Sequence, residues 1–116
     1  MVNEVVILRG LPGCGKSYFV RELRRAGREV MVVSADDYFQ KNGYQFDPDA
    51  LGEAHKACFR RYLEAVTGRK RVADVLVVDN TNIRLWEVSP YVAVANAMDV
   101  PYEIVVAVRL SDGPCL

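Results

Sequence analysis

The chain has 116 residues, with 15 Lys or Arg against 15 Asp or Glu and a formal net charge of zero. That length suits one domain, and 51% apolar with 26% charged residues is the composition of a soluble globular protein. The charge balance argues against a dedicated nucleic-acid coat. No apolar run approaches the ~20 residues that cross a membrane, and Met1-Val2-Asn3-Glu4 enters a strand without the basic and apolar regions of a signal peptide. A cytoplasmic protein with no membrane partner is therefore expected. Cys14, Cys58 and Cys115 are widely spaced, so they suggest neither a zinc site nor a disulfide framework.

Glu4 to Arg9 is short, β-branched and apolar, the pattern of a buried strand. Ser17 to Ala26 has helical spacing, with Tyr18, Phe19, Val20 and Leu23 apolar and Arg21, Glu22, Arg24 and Arg25 wet, and Gly27 is a stop signal. Glu29 to Ser34 predicts a second buried strand. Ser34 with Asp37 three residues later resembles a capping box, so a short helix or turn is expected over about 36–41. Asn42 to Phe46 is a loop. Asp47-Pro48 opens a helix running to about Val66, with Leu51, Ala54, Cys58, Tyr62 and Ala65 or Val66 inward and Gly68 as its stop. Asp74 to Asp79 is a third strand, followed by an Asn80-Thr81-Asn82 turn. Arg84 to Glu87 reads as a short helical turn, Ser89-Pro90 as the cap and first position of a helix to about Met98, and Tyr102 to Val108 as a fourth strand. Strands alternating with helices predict an α/β domain with a parallel sheet covered on both faces.

Between the first strand and the first helix, Gly10, Gly15, Lys16 and Ser17 fit G-x-x-x-x-G-K-[ST]. Glycines let the backbone approach a phosphate closely, and the N–H groups of the loop and the helix start face the anion. The loop Gly10, Leu11, Pro12, Gly13, Cys14, Gly15, Lys16, Ser17 and Tyr18 is thus the candidate nucleotide site. Lys16 would reach the β/γ-phosphates and the Ser17 hydroxyl would ligate Mg²⁺. Ligands of such sheets sit beyond the carboxyl ends of the strands. Two further groups fall there. Val75-Leu76-Val77-Val78-Asp79 has four apolar residues and an acid, so Asp79 is a second Mg²⁺ candidate or a strand-end cap. Asp36 and Asp37 are candidates for a general base, with the helix-cap role better suited to Asp37. Thr81 and Asn82 either hydrogen-bond substrate or close the turn. His55, the lone histidine, suits a packed or surface role, and Trp86 suits the core.

Taken in order, Arg9 to Ser17, Ser34-Ala35-Asp36-Asp37-Tyr38-Phe39, Tyr44-Gln45-Phe46-Asp47, Ala54-His55, Val78-Asp79-Asn80-Thr81-Asn82, Trp86-Glu87 and Pro90-Tyr91 resemble the polynucleotide-kinase-type P-loop domain. The closest variety is the kinase-like domain of the ubiquitin-ligase-binding protein family. The resemblance covers about residues 5–106. It implies a P-loop NTPase sandwich with strand order 2-3-1-4, a nucleoside triphosphate (ATP) with Mg²⁺, and transfer of the γ-phosphate to a hydroxyl of a polynucleotide or nucleotide. By position it makes Asp36 the base, with Lys16 at the phosphates, Asp37 on the substrate side and Thr81 at acceptor phosphate. Two departures stand out. Phe39 occupies a place where phage-type enzymes carry an acceptor-gripping arginine, and residues 109–116 do not resemble the arginine-bearing lid that follows the fourth strand. Residues 1–108 are accordingly expected to form the kinase-like domain and 109–116 an irregular tail.

Overall fold

The structure is a computed structural model that describes residues 2–10, 16–40, 48–80 and 85–107. Its elements are β1 (Glu4–Gly10), α1 (Lys16–Arg25), β2 (Val30–Val33), α2 (Asp36–Gln40), a 3-10 turn (Pro48–Ala50), α3 (Leu51–Thr67), β3 (Val75–Asp79), α4 (Leu85–Ala97) and β4 (Tyr102–Ala107). The four strands make one sheet in the order β2-β3-β1-β4. Every pairing is parallel, with Val5 beside Leu76 and Tyr102, and Val33 beside Val78. Parallel strands must be covered on both faces, and their near-continuous valines meet that need. On one face Val6, Leu8, Val75 and Val77 pack with Val20, Phe19 and Leu23 of α1. On the other, Val5, Ile7, Val33, Leu76 and Val78 pack with Cys58, Tyr62 and Val66 of α3 and Val88 and Tyr91 of α4.

The helix ends have local causes. Gly27 has φ 85°, its N–H reaches the Arg24 carbonyl at 3.0 Å, and the Arg28 N–H reaches Leu23 at 3.2 Å. This is a Schellman closure with glycine in the left-handed position. α4 ends with the same pair of bonds, Asp99 to Asn96 at 3.2 Å and Val100 to Ala95 at 2.8 Å, but here the left-handed residue is Asp99, φ 56°. The sequence carried no stop signal at that point. At the amino end of the sheet Asp74 accepts from the Glu29 N–H at 3.2 Å and pairs with Arg71, which holds its carboxyl below the usual range.

Two sequence expectations are corrected. Ser89-Pro90 does not start a helix: α4 begins at Leu85 and carries Pro90 inside it. Val88, Tyr91 and Ala95 are all buried and lie on one helical stripe, so burying Val88 extends the helix upstream. Pro90 is the sixth residue of α4, past the first turn that tolerates proline, so it removes one intrahelical hydrogen bond, a cost that the burial of Val88, Tyr91 and Ala95 outweighs. Leu51, expected inward, is 39% exposed, whereas Ala54, Cys58, Tyr62, Ala65 and Val66 are buried as the spacing implies. The 3-10 turn at Pro48–Ala50 makes Leu51 the first residue of α3, outside the stretch that crosses the sheet.

Candidate functional site

The carboxyl ends of β1, β2 and β3 lie side by side, and each leads into a candidate group. Gly10 ends β1 opposite Ala107. Leu11, Pro12, Gly13, Cys14 and Gly15 lie outside the described residues, and Lys16, Ser17 and Tyr18 form the first turn of α1. Asp79 ends β3 in register with Leu8. Residues in register share a sheet face, so Asp79 is on the face covered by α1. Asp36 opens α2, three residues beyond the end of β2. Thr81 and Asn82 lie outside the described residues.

Asn80 gathers these groups. It is 2% exposed, the one buried polar residue among those described. Its side-chain oxygen accepts the Ala35 N–H at 2.8 Å, and its amide nitrogen donates to Cys58 Sγ at 3.6 Å. The Tyr91 hydroxyl donates to the same sulfur at 3.6 Å. One side chain thus locks the residue after Asp79 to the residue before Asp36, and fastens both to α3 and α4. Burial pushes the Cys58 thiol up, so the sulfur stays protonated and packs as a small apolar group. Sequence reading placed Asn80 only in a turn. Its signal was a polar pair, Asp79-Asn80, after four buried apolar positions, where a strand end needs a partner for neighbouring backbone.

Asp37 takes a different partner from the one expected of a cap: Arg61 of α3 donates to its carboxylate. Both side chains are about 40% exposed, so the pair contributes little stability, but it ties the five-residue α2 to the long α3. Phe39, 5% exposed, anchors α2 from below, packed in a cluster with Ala35 and Ala54. That burial explains why the position holds no arginine.

Three clefts adjoin this end of the molecule. One of about 590 Å³ is lined by Ser34, Asp37, Tyr38, Cys58 and Arg61. A second, about 380 Å³, lies between α1 and the sheet, lined by Val20, Arg21, Arg24, Val32 and Asp79. Val32 borders both, so they flank β2. The third, about 510 Å³ and apolar, runs between α3 and α4 past Leu51, His55, Phe59, Pro90 and Tyr91. Among the described residues no group of three or more His, Cys, Asp or Glu could hold a metal. Mg²⁺ needs none: it is commonly bound by one or two carboxylates, water and substrate phosphates. A carboxylate at Asp79, on the sheet face that α1 covers, is a hard-oxygen donor of the kind that suits it.

Comparison with known proteins places this geometry in context. Residues 5–113 match the AAA domain family AAA_33. Human NEDD4-binding protein 2 is 46% identical over 92 residues, covering 78% of this chain and 5% of its own length. The chain therefore spans only a small part of that relative. A chain of the Pnkp1/Rnl/Hen1 RNA repair complex superposes with a TM-score of 0.68 at 22% identity, covering 97% of this chain and 34% of its own. The Mycobacterium tuberculosis APS kinase CysC superposes with a TM-score of 0.56 at 17% identity, covering 96% and 82%. At those identities the two structures speak for the fold alone. Among the described residues, no helix is long and apolar enough to cross a membrane.

Proposed function

This chain belongs to the AAA-domain family of P-loop kinase-like proteins, and on that footing we propose that it transfers the γ-phosphate of ATP to a hydroxyl, the 5′-hydroxyl of a polynucleotide or nucleotide. The observation that carries this reading is the Asn80 bridge. It sets the start of α2, with Asp36, at a fixed place beside the end of β3, with Asp79, one strand from the phosphate loop. Phosphoryl transfer is mostly positioning and charge stabilisation, and such a brace supplies positioning. A chain of an RNA repair complex and a kinase share the fold, which favours a phosphotransferase.

In this reading the loop from Gly10 to Tyr18 cradles the triphosphate, and Lys16 lies against its β/γ-phosphates. Asp36 accepts the proton of the attacking hydroxyl as its oxygen bonds to the γ-phosphorus and the bond to the bridging oxygen breaks, releasing ADP. Asp37, Thr81 and Asn82 line the acceptor side. Ser17 and Asp79 would hold Mg²⁺, which supplies charge neutralisation at the phosphates when bound. The reaction and its ATP supply suit a cytoplasmic protein.

The test is labelled-phosphate transfer from ATP to 5′-hydroxyl RNA, DNA and nucleosides. Asp36→Asn lowers the rate by about 10²–10⁴-fold with ATP affinity kept, and Lys16→Ala abolishes ATP binding. Transfer that survives Asp36→Asn refutes the base assignment. ATP binding with no transfer to any of these acceptors refutes the kinase reading and leaves a nucleotide-binding module.

A further inference from the structure

The sequence carries three runs of basic residues, and the structure sorts them. Arg25 pairs with Glu22 at 3.4 Å and Arg28 with Glu4 at 2.5 Å. Arg61 pairs with Asp37. Arg71 pairs with Glu29 at 3.4 Å and with Asp74. The side chains of Arg21 and Arg24 make no ion pair or hydrogen bond with the described residues, although Glu22 lies between them. Both are exposed on α1, and both line the cleft that Asp79 closes at its sheet end. Residues three apart on a helix are surface neighbours, about 5–6 Å between Cβ atoms. Two neighbouring arginines therefore line one side of the cleft, with Val20 and Val32 as its apolar lining and Asp79 as its one acid. Guanidinium forks suit phosphate oxygens, and the valines suit a sugar or base edge. The volume lies within the range of ligand clefts.

We propose that this cleft is a phosphodiester subsite for a single-stranded polynucleotide, holding the backbone phosphates that follow the reacting 5′ end. The assignment rests on the kinase reading for the direction of the strand. It also chooses between the two routes that flank β2. In the Ser34–Tyr38 cleft the arginine already neutralises Asp37, whereas along α1 neither guanidinium pairs with a described residue. A mononucleotide acceptor whose hydroxyl reaches Asp36 has no second phosphate to place on Arg21 and Arg24, so the subsite selects polymers over monomers.

The test is equilibrium binding of a short, 3′-fluorescein-labelled, 5′-hydroxyl oligoribonucleotide by anisotropy, across a salt series, on three proteins: wild type, Arg21→Gln/Arg24→Gln, and Arg60→Gln/Arg69→Gln. The last removes the same charge from exposed residues elsewhere. The α1 pair weakens oligonucleotide binding by about tenfold or more. It also makes the slope of log K against log salt shallower by about 1.4, at ~0.7 per phosphate contact on a single strand. Affinity for ATP and for a nucleoside 3′-monophosphate stays within about twofold, and the control pair changes nothing by more than that. Equal losses from the two pairs, no loss from the α1 pair, or no oligonucleotide binding by wild type overturns the subsite. The readout needs no turnover. Selective loss in a protein that transfers no phosphate upholds the subsite and refutes the kinase reading, and transfer with unchanged oligonucleotide binding does the reverse.

Discussion

Replacing Asn80 by alanine is the sharpest test of how the site is held. The side chain is 2% exposed, and its oxygen satisfies the Ala35 N–H at 2.8 Å. Alanine leaves that buried donor without its acceptor, at a cost of about 1–3 kcal/mol. For a domain of this size, with a urea m-value of about 1.5 kcal/mol/M, a loss of ~1.5 kcal/mol moves the midpoint down by about 1 M. Local and global effects are separable, because hydrogen exchange at the Ala35 amide rises by more than the loss of global stability predicts. Asn80→Asp sharpens the test. It keeps the acceptor but buries a carboxyl, whose folded pKa then lies above its unfolded value of about 3.9. Protons then bind the folded form more tightly, so the deficit against wild type is small below pH 4 and grows as pH rises through the folded pKa. A midpoint shift under about 0.3 M in Asn80→Ala, with Ala35 exchange unchanged, refutes the brace.

Tyr62 is fully buried, donates to the Tyr91 carbonyl at 2.7 Å, and has its pKa pushed up by burial to about 12. The folded state keeps the phenol protonated, so its contribution is full below pH 10 and is lost between pH 10 and 12. Two pKa units amount to about 2.7 kcal/mol; urea midpoints across that range show the loss, and Tyr62→Phe makes the fall about half as steep, because burial pushes the Tyr91 phenol up as well and its share remains. Asp99→Gly relieves a left-handed aspartate and removes a negative charge from the end of α4, for a gain of about 0.5–1 kcal/mol. Thermal melting shows a higher Tm, and a lower one refutes the strain. In Gly68→Ala the new Cβ meets the Glu64 carbonyl oxygen at 2.6 Å, where the Gly68 N–H already closes α3 at 2.9 Å. That costs about 1–3 kcal/mol, read as a fall in Tm, and an unchanged Tm shows that α3 can end differently.

The frame of this fold was legible because it is periodic. Valine-rich runs of strand length, separated by helices with inward positions at Ala54, Cys58 and Tyr62, leave a parallel sheet as the natural arrangement, and the motifs from Arg9 to Tyr91 taken together supplied the family resemblance and, through it, the strand order. Local signals misled where burial outweighed them: Ser89-Pro90 has the chemistry of a helix start, but Val88 had a core to enter. What could not be read was whatever joins distant segments. Nothing near Asn80 announces Ala35, 45 positions away. Nothing near Arg61 announces Asp37, and no pattern in the arginine run of α1 shows which members find carboxylates.

The sheet order also bears on how the chain comes together. β1 precedes both of its neighbours, β3 and β4, in chain order, and Val5 pairs with the distant Tyr102. During synthesis β1 must therefore wait for partners, β3 first and β4 later. Contacts this distant in sequence slow folding. Tyr102, Ile104 and Val106 of β4 are 40%, 39% and 56% exposed, so β4 brings little burial of its own. Gly10, the last residue of β1 before the candidate phosphate loop, is thereby paired with this half-exposed strand at Ala107, so slippage of β4 would release the end of β1.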